Sequence, residues 1–313
     1  MTWHQALHPR RWIKLAVVPL VLALTWLEPA NAAAANQAPC SGHLYGAAVR
    51  PAPPDARVGA LPTTFRSRPH TVDQHQLLAD AQQRVLAGLA DIGAASCYAS
   101  MVSMIADRTA FLAPLEFLAV SYYDRDWNAR DGLLQLYRTD PQQAVHSISS
   151  FWPSPRAEML MSTPALFDID TDQIYVNLGA LSDEQALNVV VHEFWHALAD
   201  VDPGTRPDGT PTRTTGFWTE AQANGSNVWR PVDEFVGGGV LTYMMNEAAA
   251  VEMEQAATGR PHDGMRPDLT NALDTLHELF ALAGRDHVMQ LYLASRSDEL
   301  KQLGQRIAPD AGR

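Results

Sequence analysis

Cysteine is nearly missing from this 313-residue chain, no apolar run is long enough to span a bilayer, and positive charge is in deficit. Each shortage removes a class of explanation. Two cysteines, Cys40 and Cys97, cannot build a cysteine-rich metal cluster or a multi-bridge scaffold. They either pair in an oxidising compartment or stay as two thiols, and a bridge of that span would contribute about 4 kcal/mol in the chain-entropy model. The longest apolar run, Leu15 to Leu27, is interrupted by Pro19 and falls short of the roughly 20 residues a spanning helix needs, so no stable membrane span is expected. With 23 Lys+Arg against 35 Asp+Glu, the net charge of −12 repels phosphate backbones, which excludes nucleic acid as a partner. No internal repeat is present. Gln37-Ala38-Pro39 ahead of Cys40 lacks the small residues of a lipidation signal, so no lipid anchor is expected either.

What the N-terminus does contain is an export leader over residues 1–32. Arg10, Arg11 and Lys14 precede the apolar run, and Ala30-Asn31-Ala32 ends it with the small residues a signal peptidase cuts after. The paired arginines resemble a twin-arginine signal. Export places the mature chain in a periplasm or outside the cell. Residues 33–70 are proline-rich and aperiodic, and read as an extended linker. A domain over 71–313 follows, with an N-terminal helical part, 71–160, and a catalytic part, 161–313. Apolar periodicity predicts helices over Asp73–Ile92, Ser96–Ala106, Pro141–Phe151, Asp268–Leu282 and Asp286–Leu303. Ala165–Ile169 and Gln173–Asn177 read as a hairpin. The fold class expected is α+β, mostly helical, with this small sheet or hairpin before the helix that carries the site.

That helix is the most informative stretch. Val189-Val-Val-His192-Glu193-Phe-Trp-His196-Ala-Leu198 puts two imidazoles one turn apart with a carboxylate between them. Residues four apart share a helix face, so His192 and His196 can direct ring nitrogens at one Zn2+ ion, while Glu193, turned about 100° away, suits a base acting on water. Glu193 is the one charged residue between Leu187 and Leu198, which predicts a buried helix in which an unpaired carboxylate is costly. Ser182 and Gln185 form a capping-box pattern, so the helix is expected to begin at Asp183, and Asp202-Pro203-Gly204 stops it near Asp200.

A catalytic zinc needs a third protein ligand and an open fourth position. Tyr243-Met-Met-Asn246-Glu247-Ala-Ala-Ala-Val-Glu252 resembles the Asn-Glu-x-x-Ala signature of gluzincin metallopeptidases, and the hairpin leading into the His-Glu-x-x-His helix resembles the zincins more broadly. The resemblance implies a zincin-like domain, a zinc-dependent peptidase acting on peptide or protein, metal ligands His192, His196 and Glu247, and catalytic Glu193. It also implies that Gln173–Asn177 is an edge strand binding peptide backbone, the alternative being an edge with no ligand. Where such families carry an aspartate four residues after the glutamate, this chain has Val251. Glu254, two turns beyond Glu247, offers a carboxylate on the same face. Rival third ligands are Glu220, after Trp218, and Asp202. Tyr243 is the first choice for a second oxyanion donor, with His262, His287 and Tyr292 beside it. Two other readings stay open: a catalytically inactive zincin-like peptide-binding or regulatory protein, and a structural helical protein without metal.

Overall fold

Asp73 opens the first helix by accepting the His75 and Gln76 amides on Oδ1, at 2.8 and 3.4 Å, which satisfies donors that a helix start leaves unpaired. The structure, a computed structural model, describes residues 73–122, 132–133, 135–136, 139–148, 159, 161–169, 172–201, 214–223, 226–233, 240–262 and 265–307. The leader and most of the linker expected over 1–70 lie outside these residues. Among those described, no helix is long and apolar enough to cross a membrane.

Helices dominate, with two small sheets. In chain order the elements are α1 (Gln74–Asp91), α2 (Ala95–Asp107), β1 (Thr109–Leu112), α3 (Pro114–Tyr122), α4 (Pro141–Ile148), β2 (Ala165–Asp168), β3 (Gln173–Asn177) and α5 (Ala186–Ala199). Then come β4 (Asp200–Val201), β5 (Thr214–Thr215), β6 (Trp218–Ala223), β7 (Ser226–Pro231), α6 (Met245–Thr258), α7 (Pro267–Ala283), α8 (Arg285–Leu293) and α9 (Ser297–Ile307). The α+β class expected from periodicity is what the backbone adopts. Helix α5 sits at the centre of the core: Val190, Val191, Phe194, Trp195 and Leu198 are fully buried, and α1, α2 and α6 pack around it. Each such side chain contributes about 1.5–3 kcal/mol through removal from water. On α6, Ala248, Ala249 and Ala250 are also fully buried, and their small size lets its backbone approach α5 closely.

Helix α5 begins three residues later than its capping pattern predicts. The Ser182 hydroxyl donates to the Gln185 side-chain oxygen at 2.8 Å, so the two polar groups satisfy each other and leave no side-chain cap on the helix. The hairpin expected before α5 is present, with Asp172 in the left-handed region at φ 53 in its turn.

Its place in the sheet corrects the sequence reading. Strand β3 lies in the middle, with β1 parallel on one side and β2 antiparallel on the other, so the backbone of Gln173–Asn177 is already paired on both flanks. Among the described residues the edges of this sheet are β1 and β2. Asn177 N–H donates to the Pro164 carbonyl at 2.8 Å, which sets the phase: Leu166 and Asp168 turn their backbone groups toward β3, and Ala165 and Phe167 turn theirs away.

The helix expected over Asp286–Leu303 is two helices. Ser295 breaks it, held in the left-handed region at φ 45 because its hydroxyl donates to the Ala199 carbonyl and accepts the Gly216 amide, each at 2.7 Å. Gly216 has φ +56, and a Cβ there would stand 2.2 Å from the Tyr292 ring and 2.7 Å from Asn246 Oδ1. Glycine is required on both counts. Asn246 ties the same turn to α6: its Oδ1 accepts Phe217 N–H and its Nδ2 donates to the Thr215 carbonyl, both at 2.8 Å. One turn of chain, Thr215–Phe217, thereby fixes the end of α5 against the start of α6.

Candidate metal centre

That junction sets Glu247, in the first turn of α6, over the two histidines of α5. His192 Nε2 lies 3.1 Å from His196 Nε2 and 3.3 Å from Glu247 Oε2, and His196 Nε2 lies 3.5 Å from Glu247 Oε1. Donors bound at about 2.0–2.1 Å to a tetrahedral ion stand about 3.3–3.4 Å from one another, and the three separations, two of which end on different Glu247 oxygens, lie close to that value. His192 is buried, while His196 and Glu247 are half-buried. The residues present therefore fit a divalent ion held by two imidazoles and a carboxylate.

The electrostatics favour a cation at the same spot. Burial pulls the His192 imidazole down, but its hydrogen bonds to Glu247 and Glu254 and the charges of Glu247 and Glu193 outweigh that and push it up to about 10. Burial alone would raise Glu247; the His196 charge and contacts with both rings overcome it and hold the carboxyl well below its ordinary range. Three carboxylates around two rings create a demand for positive charge that a divalent ion meets.

Behind the triangle, Glu254 orients His192. Spaced seven residues from Glu247 on α6, it is 2% exposed, and its Oε2 accepts from His192 Nδ1 at 3.2 Å and from His262 Nδ1 at 2.8 Å. With a carboxylate as acceptor at Nδ1, the proton that His192 would keep when a metal takes Nε2 sits on Nδ1. The His262 ring stacks on His192, 5.5 Å between centroids with a 27° tilt. Hydrogen bonds to both rings outcompete burial and lower Glu254. His192, Glu254 and His262 also converge closely enough to hold an ion of their own. Using both groups at once would strip His192 of both ring protons, so Glu254 is read as a hydrogen-bond acceptor.

Glu193 is buried at the edge of the cluster and accepts the Phe167 amide, one of the β2 groups turned away from β3. Burial raises its carboxyl; the His192 and His196 charges lower it, Glu247 raises it and the Phe167 bond lowers it, for a net upward shift that strengthens it as a base. Tyr292 is fully buried and its hydroxyl has no hydrogen-bond partner among the described residues. Burial and the nearby Glu247 and Glu193 carboxylates push its phenol up. Tyr243 stands just before α6 and is 53% exposed, and no hydrogen bond or ring contact among the described residues ties it to the cluster.

Of the other residues singled out by sequence, Glu220 lies in β6 opposite Trp229, and Asp202 falls outside the described residues. His262, weighed from sequence as an oxyanion donor, serves as the second donor to Glu254; nothing in its local sequence signals that contact. Beside Glu193 and His192 opens a cavity of about 250 Å³, walled by Pro164, Ala165 and Val189 and by the polar Gln185, Asn188, Glu254 and His262. No family model, curated protein or solved structure matches the chain, and its function is read from this geometry.

Proposed function

We propose that this chain is an exported zinc-dependent peptidase of zincin-like, gluzincin type, with His192, His196 and Glu247 as metal ligands and Glu193 as general base. The observation that carries the reading is the convergence of His192 Nε2, His196 Nε2 and the Glu247 carboxylate, 3.1 Å between the rings, 3.3 Å from His192 to Oε2 and 3.5 Å from His196 to Oε1. Imidazole and carboxylate donors in a three-ligand site with an open corner suit zinc. Bound there, zinc would supply Lewis acidity, making water acidic enough to attack near neutral pH and offsetting charge that builds on a carbonyl oxygen.

The chain's own residues do the rest. Glu193, made more basic by burial, takes a proton from the attacking water and delivers it to the departing amine nitrogen. Glu254 keeps the His192 ring in its ligating tautomer. The outward-turned backbone groups of Ala165 and the Phe167 carbonyl would pair with an extended substrate, recognising main chain whatever its side chains. Such a substrate would run over Glu193, whose contact with the Phe167 amide marks how near the ladder is to the base. For the second oxyanion donor, Tyr243 and Tyr292 are the phenols proposed. Tyr292 has the nearby carboxylates and the unpartnered hydroxyl, while Tyr243 has the exposure to meet a substrate.

Export agrees with the cysteines: Cys97 is disulfide-bonded, and Cys40 is the only other cysteine in the chain. The test is metal analysis of purified protein followed by digestion of a mixed peptide library with and without chelator. One equivalent of zinc and chelator-sensitive cleavage are expected. A metal-loaded protein that leaves every peptide whole would refute the enzymatic reading.

A further inference from the structure

We infer that the cavity beside Glu193 is a specificity pocket that takes a basic side chain, arginine or lysine, adjacent to the bond that is cut. The inference rests on the peptidase reading above and adds a substrate class to it. Position is the first argument. The cavity lies between α5 and the start of β2, with His192 and Glu193 on one wall and Pro164 and Ala165 on the other. A strand added along β2 sends alternate side chains toward α5, and those nearest Glu193 enter this space.

Unmet acceptors are the second argument. Asn188, 9% exposed and one turn before His192, has a buried Oδ1 that no described group reaches. Glu254 uses Oε2 for both of its histidines, and no described group donates to its Oε1. A buried acceptor left unpaired costs about 1–3 kcal/mol, so Asn188 Oδ1 favours a ligand rich in donors, and Glu254 Oε1 is a further acceptor in the same lining. Guanidinium offers five N–H groups and ammonium three.

Charge is the third. The cavity lining contains no lysine or arginine. With a divalent ion in place and neutral histidines, Glu193, Glu247 and Glu254 leave the site one negative charge in excess, which a cationic side chain cancels and an acidic one doubles. About 250 Å³ accommodates such a side chain at full length, and Val189, Ala165 and Pro164 give its methylenes an apolar wall.

The test uses zinc-loaded protein and quenched fluorescent peptides identical except for the residue on one or the other side of the cleaved bond: arginine, lysine, norleucine or glutamate. At one of the two positions, arginine and lysine should exceed norleucine in kcat/KM by about tenfold or more, and glutamate should fall below norleucine. Two substitutions then move the ratio in opposite directions. Asn188→Leu removes the acceptor and should shrink the arginine-to-norleucine ratio several-fold, whereas Asn188→Asp adds a charge and should enlarge it. Loss of packing alone would not split the two variants. Cleavage with no basic preference at either position, or ratios unchanged in both variants, overturns this inference and leaves the peptidase reading standing. If no peptide is cut by the loaded protein, the peptidase reading falls and this inference falls with it.

Discussion

Replacing Glu254 by glutamine isolates the contribution of the carboxylate read as orienting His192. The amide oxygen of glutamine can still accept from His192 Nδ1 and His262 Nδ1, which now reach the carboxylate at 3.2 and 2.8 Å, so the geometry can persist while the charge disappears. A hydrogen bond to a charged group contributes about 1.5–3 kcal/mol against about 1 for a neutral one. The His192 contact, the one coupled to the ligand nitrogen, therefore weakens by about 0.5–2 kcal/mol. At about 1.4 kcal/mol per factor of ten, zinc should bind about tenfold more weakly, the low end of what such outer contacts usually contribute. Competition with a chromophoric chelator at fixed pH measures it. Glu252→Gln is the control, since that carboxylate on the same helix faces Arg285 at 3.1 Å and His277 at 3.4 Å instead. Should Glu254→Gln bind zinc as tightly as the unmodified protein while Glu247→Gln loses it, the orienting role of Glu254 is wrong.

Glu193→Gln should keep one equivalent of metal and lose about 10²–10⁴-fold in turnover, measured side by side by metal analysis and peptide cleavage; normal turnover would remove it as the base. Ser295→Ala deletes both hydrogen bonds that clamp Ala199 and Gly216 and should cost about 1–3 kcal/mol, seen as a melting temperature several degrees lower in calorimetry. Glu254 has a folded-state pKa below its ordinary value of 4.5, so the stability it supplies is complete above that value and is lost as pH falls through the lower one. In metal-free protein, Glu254→Gln should accordingly flatten the acid limb of melting temperature against pH, and an unchanged limb would refute the assignment. Reducing the Cys97 disulfide should lower stability by up to about 4 kcal/mol, read from denaturant midpoints with and without reductant.

The two histidines and Glu193 could be read from sequence because their chemistry is local: a four-residue step on a helix decides which side chains share a face. Glu247 and Glu254 were within reach for a similar reason, being two turns apart on one helix with a sequence signature at its start. Strand β1 was not legible. Thr109–Leu112 is four residues long, and its parallel pairing with β3 joins segments more than sixty residues apart, a contact no local pattern encodes. Missing β1 is also what made Gln173–Asn177 look like an edge. The sheet of β4 to β7 hides for a related reason, since two of its strands are two residues long and depend on the Thr215–Phe217 turn. Ser295 breaks an otherwise continuous helical pattern only because Ala199 and Gly216 lie within reach of its hydroxyl. His262 meets Glu254 across a chain reversal. In each case a side chain's partner is set by tertiary packing, whereas propensity sees only its neighbours.

Anomalous diffraction at the zinc edge, on crystals of protein loaded with one equivalent of metal, bears most directly on the central claim. A single peak should lie about 2.0–2.2 Å from His192 Nε2, His196 Nε2 and a Glu247 carboxylate oxygen, and it should vanish in His192→Ala. A peak elsewhere, or one that survives that substitution, would contradict the account.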